Sequence, residues 1–373
     1  MNLEEACSEE DRIMKKSYLV AAAILLCVLT GCSKHSDQGT ETAATGRHMT
    51  NPVQSAPVAQ SPSEESGTED KNGTVEGKAP AVYVTTDISP EGMKKVYDAL
   101  GRNLNGNVAV KLSTGEAGGS YYLSPDLIKD LVQSVNGTIV ECNTAYGGSR
   151  SSTAMHRQVA EDHGFTAIAK VDIMDENGSM SIPATGGKNL TEDLVGENLK
   201  NYDSIMVLSH FKGHSMGGFG GAIKNISIGI GSADGKRLIH SAGRSRSSWG
   251  GGTQDQFLES MAEAAGAVID YMGEENMLYI SVMNNLSVDC DCDSNPAEPD
   301  MHDIGILASL DPVALDQACV DLVYTAPDGD SLIQRIESRN GIHTLEHAQS
   351  IGVGSRSYEL ISVDGTVTQQ SKR

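Results

Sequence analysis

Ala81-Val-Tyr-Val-Thr-Thr followed by Ser89-Pro90-Glu91 is the stretch that decides the fold, because the same pair of motifs returns further down the chain. A short run of β-branched and apolar residues reads as a strand. Ser, Pro and Glu in succession read as a helix start, with Ser as N-cap and Pro at the first helical position. Asn107-Val-Ala-Val-Lys-Leu and Ser124-Pro125-Asp126 repeat the pattern, and Gly137-Thr-Ile-Val-Glu-Cys is a third strand. A helix is expected around residues 151–162, then strands near 167–173 and 204–209. Further on come a helix over 254–272, strands over 277–283 and 304–309, and Asp311-Pro312 heading a helix over 313–324. Strands alternating with helices predict an α/β domain, a mostly parallel or mixed sheet with helices on both faces. Residues 81–373 suffice for a single large domain with room for two lobes.

Upstream of that domain the sequence has a different character. Met14-Lys-Lys precedes the apolar run from Tyr18 to Leu29, which ends in Leu29-Thr-Gly-Cys32. The run is a signal-peptide length and too short for a hydrocarbon layer of about 30 Å. Leu29-Thr-Gly-Cys32 resembles the lipobox of bacterial lipoproteins, in which the Cys carries fatty acyl chains such as palmitate. Residues 1–31 are thus expected to be a signal peptide, with Met14 the better start because residues 1–13 are acidic. Cys32 is the expected lipidation site, which makes the membrane a partner and places the chain at the cell membrane facing outside the cytoplasm. Residues 32–80 are rich in Ser, Thr, Glu, Gly and Pro, the composition of a disordered tether.

The formal net charge is −22. It disfavours nucleic acid and anionic lipid headgroups as partners, since both carry the same sign. Setting aside Cys7, Cys27 and Cys32 leaves Cys142, Cys290, Cys292 and Cys319, too few for a disulfide scaffold in a domain this large. Cys319 falls in a helical run and reads as a core residue.

In open α/β sheets ligands gather at the carboxyl ends of strands. Three chemically loaded segments follow expected strands. The first runs from Glu141 through Tyr146 to Arg150. The second runs from Ser209 to Asn225 and holds His210, Lys212, His214, Gly217, Gly218, Gly220, Gly221 and Lys224. His210, His214 and Lys224 are its candidate catalytic groups. The four glycines, Lys224 and Asn225 form a candidate anion- or cofactor-binding loop, because glycine lets backbone N–H groups approach an anion at a helix start. The third is Asp289-Cys-Asp-Cys-Asp293, with His302 and Asp303 beyond it. Cys290, Cys292, His302 and Asp303 are candidate metal ligands; the alternatives for the two cysteines are a small redox disulfide and packed thiols. The spacing of a standard four-cysteine iron–sulfur site is absent. His343-Thr-Leu-Glu346-His347 matches an inverted zinc-protease pattern, but on a short helix near the chain end it reads better as surface helix. Arg244, Arg246 and Trp249 sit in a Ser/Gly-rich loop that reads as a lid or as an ordinary exposed loop.

Ser209-His-Phe-Lys-Gly-His, Gly218-Phe-Gly-Gly-Ala-Ile-Lys-Asn, Asp289-Cys-Asp-Cys-Asp, Asp303-Ile-Gly-Ile-Leu-Ala-Ser and Asp311-Pro-Val-Ala-Leu-Asp316 together resemble the family known as domain of unknown function 362. The resemblance runs from about Tyr83 to Ser362. It implies a shared α/β architecture and suspected redox or metal involvement. Many members carry an appended ferredoxin-like segment that is missing here, so a bound four-iron cluster is not carried over. The functional expectation is an extracytoplasmic lipoprotein acting as a metal-dependent or redox enzyme on a small anionic substrate. The alternative is a non-catalytic lipoprotein that binds a small anion or metal ion.

Overall fold

Strand β7 (Ser204–His210) shows why the sheet is covered on both sides. Ile205 and Val207 point into one apolar core while Met206 and Leu208 point into another, the two-residue alternation of a strand with no wet face. The computed structural model describes residues 78–365 and the backbone of a last strand over 368–371. The expected signal peptide, Cys32 and most of the tether lie outside the described residues. No helix among the described residues is long and apolar enough to cross a membrane.

The other strands of this sheet are β1 (Ala81–Thr85), β2 (Val108–Lys111), β3 (Thr138–Glu141), β4 (Val171–Ile173), β10 (Met277–Met283), β11 (Gly305–Ser309), β12 (Tyr358–Ser362) and β13 (Thr368–Ser371). Their spatial order is β13-β12-β1-β11-β10-β7-β2-β3-β4. From β10 to β4 every neighbouring pair is parallel, whereas β11 runs antiparallel to both β10 and β1. The reason is local. The chain between β10 and β11 forms no helix, so it returns beside the strand it left instead of crossing over.

Helices α1 (Pro90–Ala99), α2 (Pro125–Ser134) and α3 (Thr153–Asp162) cover one face. The other carries α4 (Ala222–Ile226), α6 (Gln254–Met272), α7 (Pro312–Thr325), α8 (Asp330–Ser338) and α9 (His343–Ser350), with α5 (Ala233–His240) beside them. Ser89 caps α1 through its hydroxyl, which accepts from Gly92 N–H at 3.1 Å, and Asp311 caps α7 by accepting from Val313 and Ala314 N–H. Ser124 makes no such side-chain bond at the start of α2. Near 167–173 the strand is confined to β4, because Phe165–Ala167 forms a 3-10 turn. Two small hairpins complete the fold: β5 (Ser179–Pro183) with β6 (Glu192–Gly196), and β8 (Lys212–His214) with β9 (Gly218–Gly220).

Candidate functional site

Four neighbouring parallel strands end on one edge of the sheet. Lys111 ends β2, Glu141 ends β3 and His210 ends β7, while the loop leaving β10 carries Asp289 to Asp293. The three segments singled out in the sequence therefore converge there, around a cavity of about 530 Å³. That volume lies within the roughly 300–1,000 Å³ range of small-molecule sites.

One wall is a buried ion-pair network centred on Glu141. Its carboxylate meets Lys111 Nζ at 3.0 Å and Arg150 Nη1 at 3.1 Å, and it accepts from Thr114 N–H at 2.9 Å. Arg150 also reaches Glu116 at 3.3 Å. Burial alone would raise the pKa of Glu141, but Lys111, His156 and Arg150 hold it well below the usual carboxylate range.

Asp291 organises a second network. It meets His210 Nδ1 at 3.0 Å and Lys212 Nζ at 3.1 Å. Burial pushes its pKa up, and His210 and Lys212 beside it outweigh that, leaving it lowered. His210 Nε2 faces the carbonyl oxygen of Asn284 at 2.7 Å. Both ring nitrogens of His210 are thus engaged, and the expected catalytic role gives way to a structural one. His214 keeps one nitrogen. Gly217 N–H donates to its Nδ1 at 2.8 Å, so Nε2 holds the proton of the neutral ring. Burial, with Lys224 and His240 nearby, holds the His214 pKa well below its ordinary value, which makes this ring a hydrogen-bond donor and a poor base.

The glycine loop also departs from expectation. It is the β8–β9 hairpin, and the helix it enters is only α4. The N–H groups at that helix start are already taken: Ala222 and Ile223 donate to the Asp316 carboxylate at 2.7 and 2.9 Å. The anion there is the protein's own. A Cβ on Gly221 would lie 2.2 Å from Asp316 Oδ1, and Gly218 adopts a φ of +82° against Ile336 and Gly341, so packing requires both glycines. The Asn225 side chain is spent on Lys111, Leu208 and Ser209, pinning α4 to the ends of β2 and β7. Of the side chains expected to hold an anion, only Lys224 keeps its polar group unengaged.

Lys224 makes no hydrogen bond or ion pair among the described residues, and burial pushes its pKa down to about 8. Lys236 is buried and held by the carbonyl oxygens of Gly231 at 2.6 Å and Cys142 at 3.5 Å, with no ion pair among the described residues. Both line the cavity together with Cys290 and Cys292, which are joined as a disulfide. A ring nitrogen of His214 and the two Sγ atoms lie within 4.8 Å of one another. Nitrogen and thiolate donors at that spacing suit a thiophilic metal ion, but the two sulfurs can serve only after the disulfide is reduced.

His302 and Asp303 are not part of this cluster. His302 pairs with Asp328 at 2.7 Å at the surface, and Asp303 accepts from Asn285 N–H at 2.7 Å. Both are used to fold the β10–β11 loop. Arg244 bonds Gln256 and Arg246 pairs with Glu192, so of the supposed lid only Trp249 lines the cavity. His343 and His347 pair across to Glu259 and Glu263 on α6, at 3.3 and 3.0 Å, which joins α9 to α6 and makes no metal group among the described residues. Cys142 and Cys319 are free and buried, and burial raises both thiol pKa values. Lys111, Glu116, Lys236 and His240 were not singled out from the sequence. A Lys closing a buried parallel strand was a signal for the first; the other three carry none that distinguishes them from surface charges.

The sequence profile of a family described as a domain of unknown function, DUF362, matches residues 108–321. No curated protein matches. Among solved structures, the lactate racemase apoprotein from Thermoanaerobacterium thermosaccharolyticum is similar over 66% of this chain and 57% of that one, at 14% identity and a TM-score of 0.38. A protein from Thermotoga maritima is similar over 70% of this chain and 58% of its own, at 11% identity and a TM-score of 0.36. This chain thus spans less than two thirds of the length of either. The profile match is narrower than the resemblance read from Tyr83 to Ser362, yet it takes in every residue that lines the cavity. With more than half of its length and its whole candidate site inside the matched region, the chain belongs to the DUF362 family.

Proposed function

We propose that this protein is a lipid-anchored, extracytoplasmic enzyme whose cavity takes a small anionic substrate and acts on it by redox chemistry at Cys290 and Cys292. One observation carries the reading. Lys111, Arg150 and Lys212 are balanced by carboxylates, whereas Lys224 and Lys236, which line the same cavity as the sulfur pair, have no ion-pair partner among the described residues. The cavity lining carries as many lysine and arginine side chains as carboxylates, so in a chain of net charge −22 it repels an anion less than the rest of the surface does. A concave site with a few converging polar groups suits a small molecule better than a macromolecule.

The chain's one tryptophan, Trp249, lines the cavity and packs edge-on against His240 at 4.5 Å, so it reports occupancy directly. Titration with succinate, oxalate and inorganic phosphate should give a saturable change in its fluorescence that cationic ethylenediamine does not. Lys224→Met should weaken the tightest of these by about tenfold, the loss of one charge-assisted contact. Absence of any saturable anion response, or binding as tight as that of the wild type in both Lys224→Met and Lys236→Met, would overturn the anion site. Anion binding with no chemistry at the sulfur pair would reduce the protein to a binding lipoprotein. The anchor has its own test: Cys32→Ser should move the protein from the membrane fraction to the soluble one and remove the mass of the acyl chains.

A second reading is favoured by the approach of His214 to both sulfurs within 4.8 Å. After reduction, Cys290 and Cys292 would hold a metal ion, joined by His214 once Nε2 gives up its proton or Nδ1 its bond from Gly217, and the ion would polarise a substrate carbonyl. Stoichiometric zinc retained by the reduced protein and lost in Cys290→Ser would support it; zinc that washes off the reduced wild type would dismiss it.

A further inference from the structure

We infer that Cys290–Cys292 is a thiol–disulfide exchange site for small thiols that carry carboxylates, with Cys292 as the sulfur attacked and Cys290 as the leaving sulfur. The inference rests on the anion-site reading above and adds the substrate class and the direction of attack. A Cys-x-Cys pair flanked by Asp289, Asp291 and Asp293 would by itself disfavour thiolates, because each carboxylate repels a developing negative charge. The tertiary structure cancels most of that repulsion. Asp291 is held by His210 and Lys212, and Asp289 is held by Arg335 at 3.1 Å. Only Asp293 stays at the exposed rim.

The two sulfurs are not equivalent. Cys292 N–H donates to Cys290 Sγ at 3.4 Å, a contact that stabilises negative charge on Cys290. With Gly217 on Nδ1, the His214 nitrogen left to donate is Nε2, and a ring nitrogen of His214 lies within 4.8 Å of both sulfurs. Lys224, unengaged in the same cavity, is placed to receive the carboxylate of an incoming thiol.

The exchange balances without a further reactant. A thiolate attacks Cys292 Sγ, a bond forms between the two sulfurs, and Cys290 Sγ departs with the electron pair of the old S–S bond. A second thiolate then attacks the sulfur of the first substrate molecule, releasing the substrate disulfide and Cys292 thiolate. Two thiols are oxidised, the protein disulfide takes up two electrons, and the two protons end on Cys290 and Cys292. Run backwards, the same steps reduce a small disulfide.

The test uses the full chain in its oxidised form. Reduced glutathione, neutral 2-mercaptoethanol and cationic cysteamine are compared at equal thiolate concentration, and free protein thiols are trapped by alkylation and weighed by mass spectrometry. Glutathione should open Cys290–Cys292 about tenfold faster than cysteamine, through attraction in the cavity. In Lys224→Met, checked for folding by circular dichroism, that preference should disappear. In Cys290→Ser, oxidised glutathione should place one adduct on Cys292. A disulfide that survives excess glutathione, or rates indifferent to thiol charge and to Lys224, would overturn the inference. If succinate or phosphate still shifts Trp249 while the sulfur pair stays closed, exchange fails and the anion site stands; if neither responds, both fall.

Discussion

Glu141→Ala is expected to lower the free energy of unfolding by about 3–5 kcal/mol, the range found when one partner of a buried ion pair is removed. Lys111 and Arg150 would keep their charges inside the protein with no carboxylate between them, and Thr114 N–H would lose its acceptor. Glu141→Gln keeps the shape and one acceptor oxygen, so it should lose less. Both are measured by urea denaturation with circular dichroism. The pH dependence follows from the sign of the shift. The folded pKa of Glu141 lies well below its ordinary value of 4.5, so its contribution is complete above that pH and fades as pH falls toward the folded value. Wild type should therefore lose stability below about pH 4.5 more steeply than Glu141→Gln. Equal slopes would mean that Glu141 is not the anion holding Lys111 and Arg150 in place.

Asp316→Ala is expected to cost about 2–4 kcal/mol, because it leaves the buried N–H groups of Ala222 and Ile223 without acceptors. It should also weaken anion binding in the Trp249 titration, since those two bonds hold the start of α4, the helix that carries Lys224 and Asn225. Asp316 is fully buried, and burial raises its pKa from 3.8 to about 7. Here the sign is opposite to that of Glu141. The folded state holds the proton more tightly than the unfolded chain, so the stability contributed by protonation is complete below pH 3.8 and is lost as pH rises through about 7. Asp316→Asn should flatten that part of the stability profile. Asp193, which burial also raises to about 7, will leave a residual slope in the same window. An unchanged profile in Asp316→Asn would show that this carboxylate does not titrate there.

Much of this was legible in the sequence, for reasons tied to particular residues. The helix Gln254–Met272 and the strand Met277–Met283 stand where periodicity placed them, because each buries most of its length and most of the buried positions are apolar or small. Alternation of strands with Ser-Pro helix starts forced crossovers, and crossovers forced β2, β3, β7 and β10 to be parallel. Parallel strands end on one edge, and for that reason segments more than a hundred residues apart could be expected at one cavity. The belonging of the chain to its family was also written in linear motifs.

What each polar group does at that edge was decided by tertiary structure alone. His210 and Lys212 looked chemically available until Asp291 took them, and Asn225 until it was spent on the ends of β2 and β7. The helix start that seemed built for an external anion is filled by Asp316, which lies ninety-one residues beyond Asn225 in the chain. His302 follows the cysteine motif closely in sequence yet pairs with Asp328 at the surface. The physical reason is the same throughout. A side chain's chemistry is fixed by its type, and so the kinds of group at the site could be read from the sequence. Whether that group remains available depends on which hydrogen-bonding and charged partners folding brings within about 3 Å, and those partners come from distant strands and helices. Lys224, His214 and the Cys290–Cys292 pair line the cavity at that edge, and the proposed chemistry rests on them.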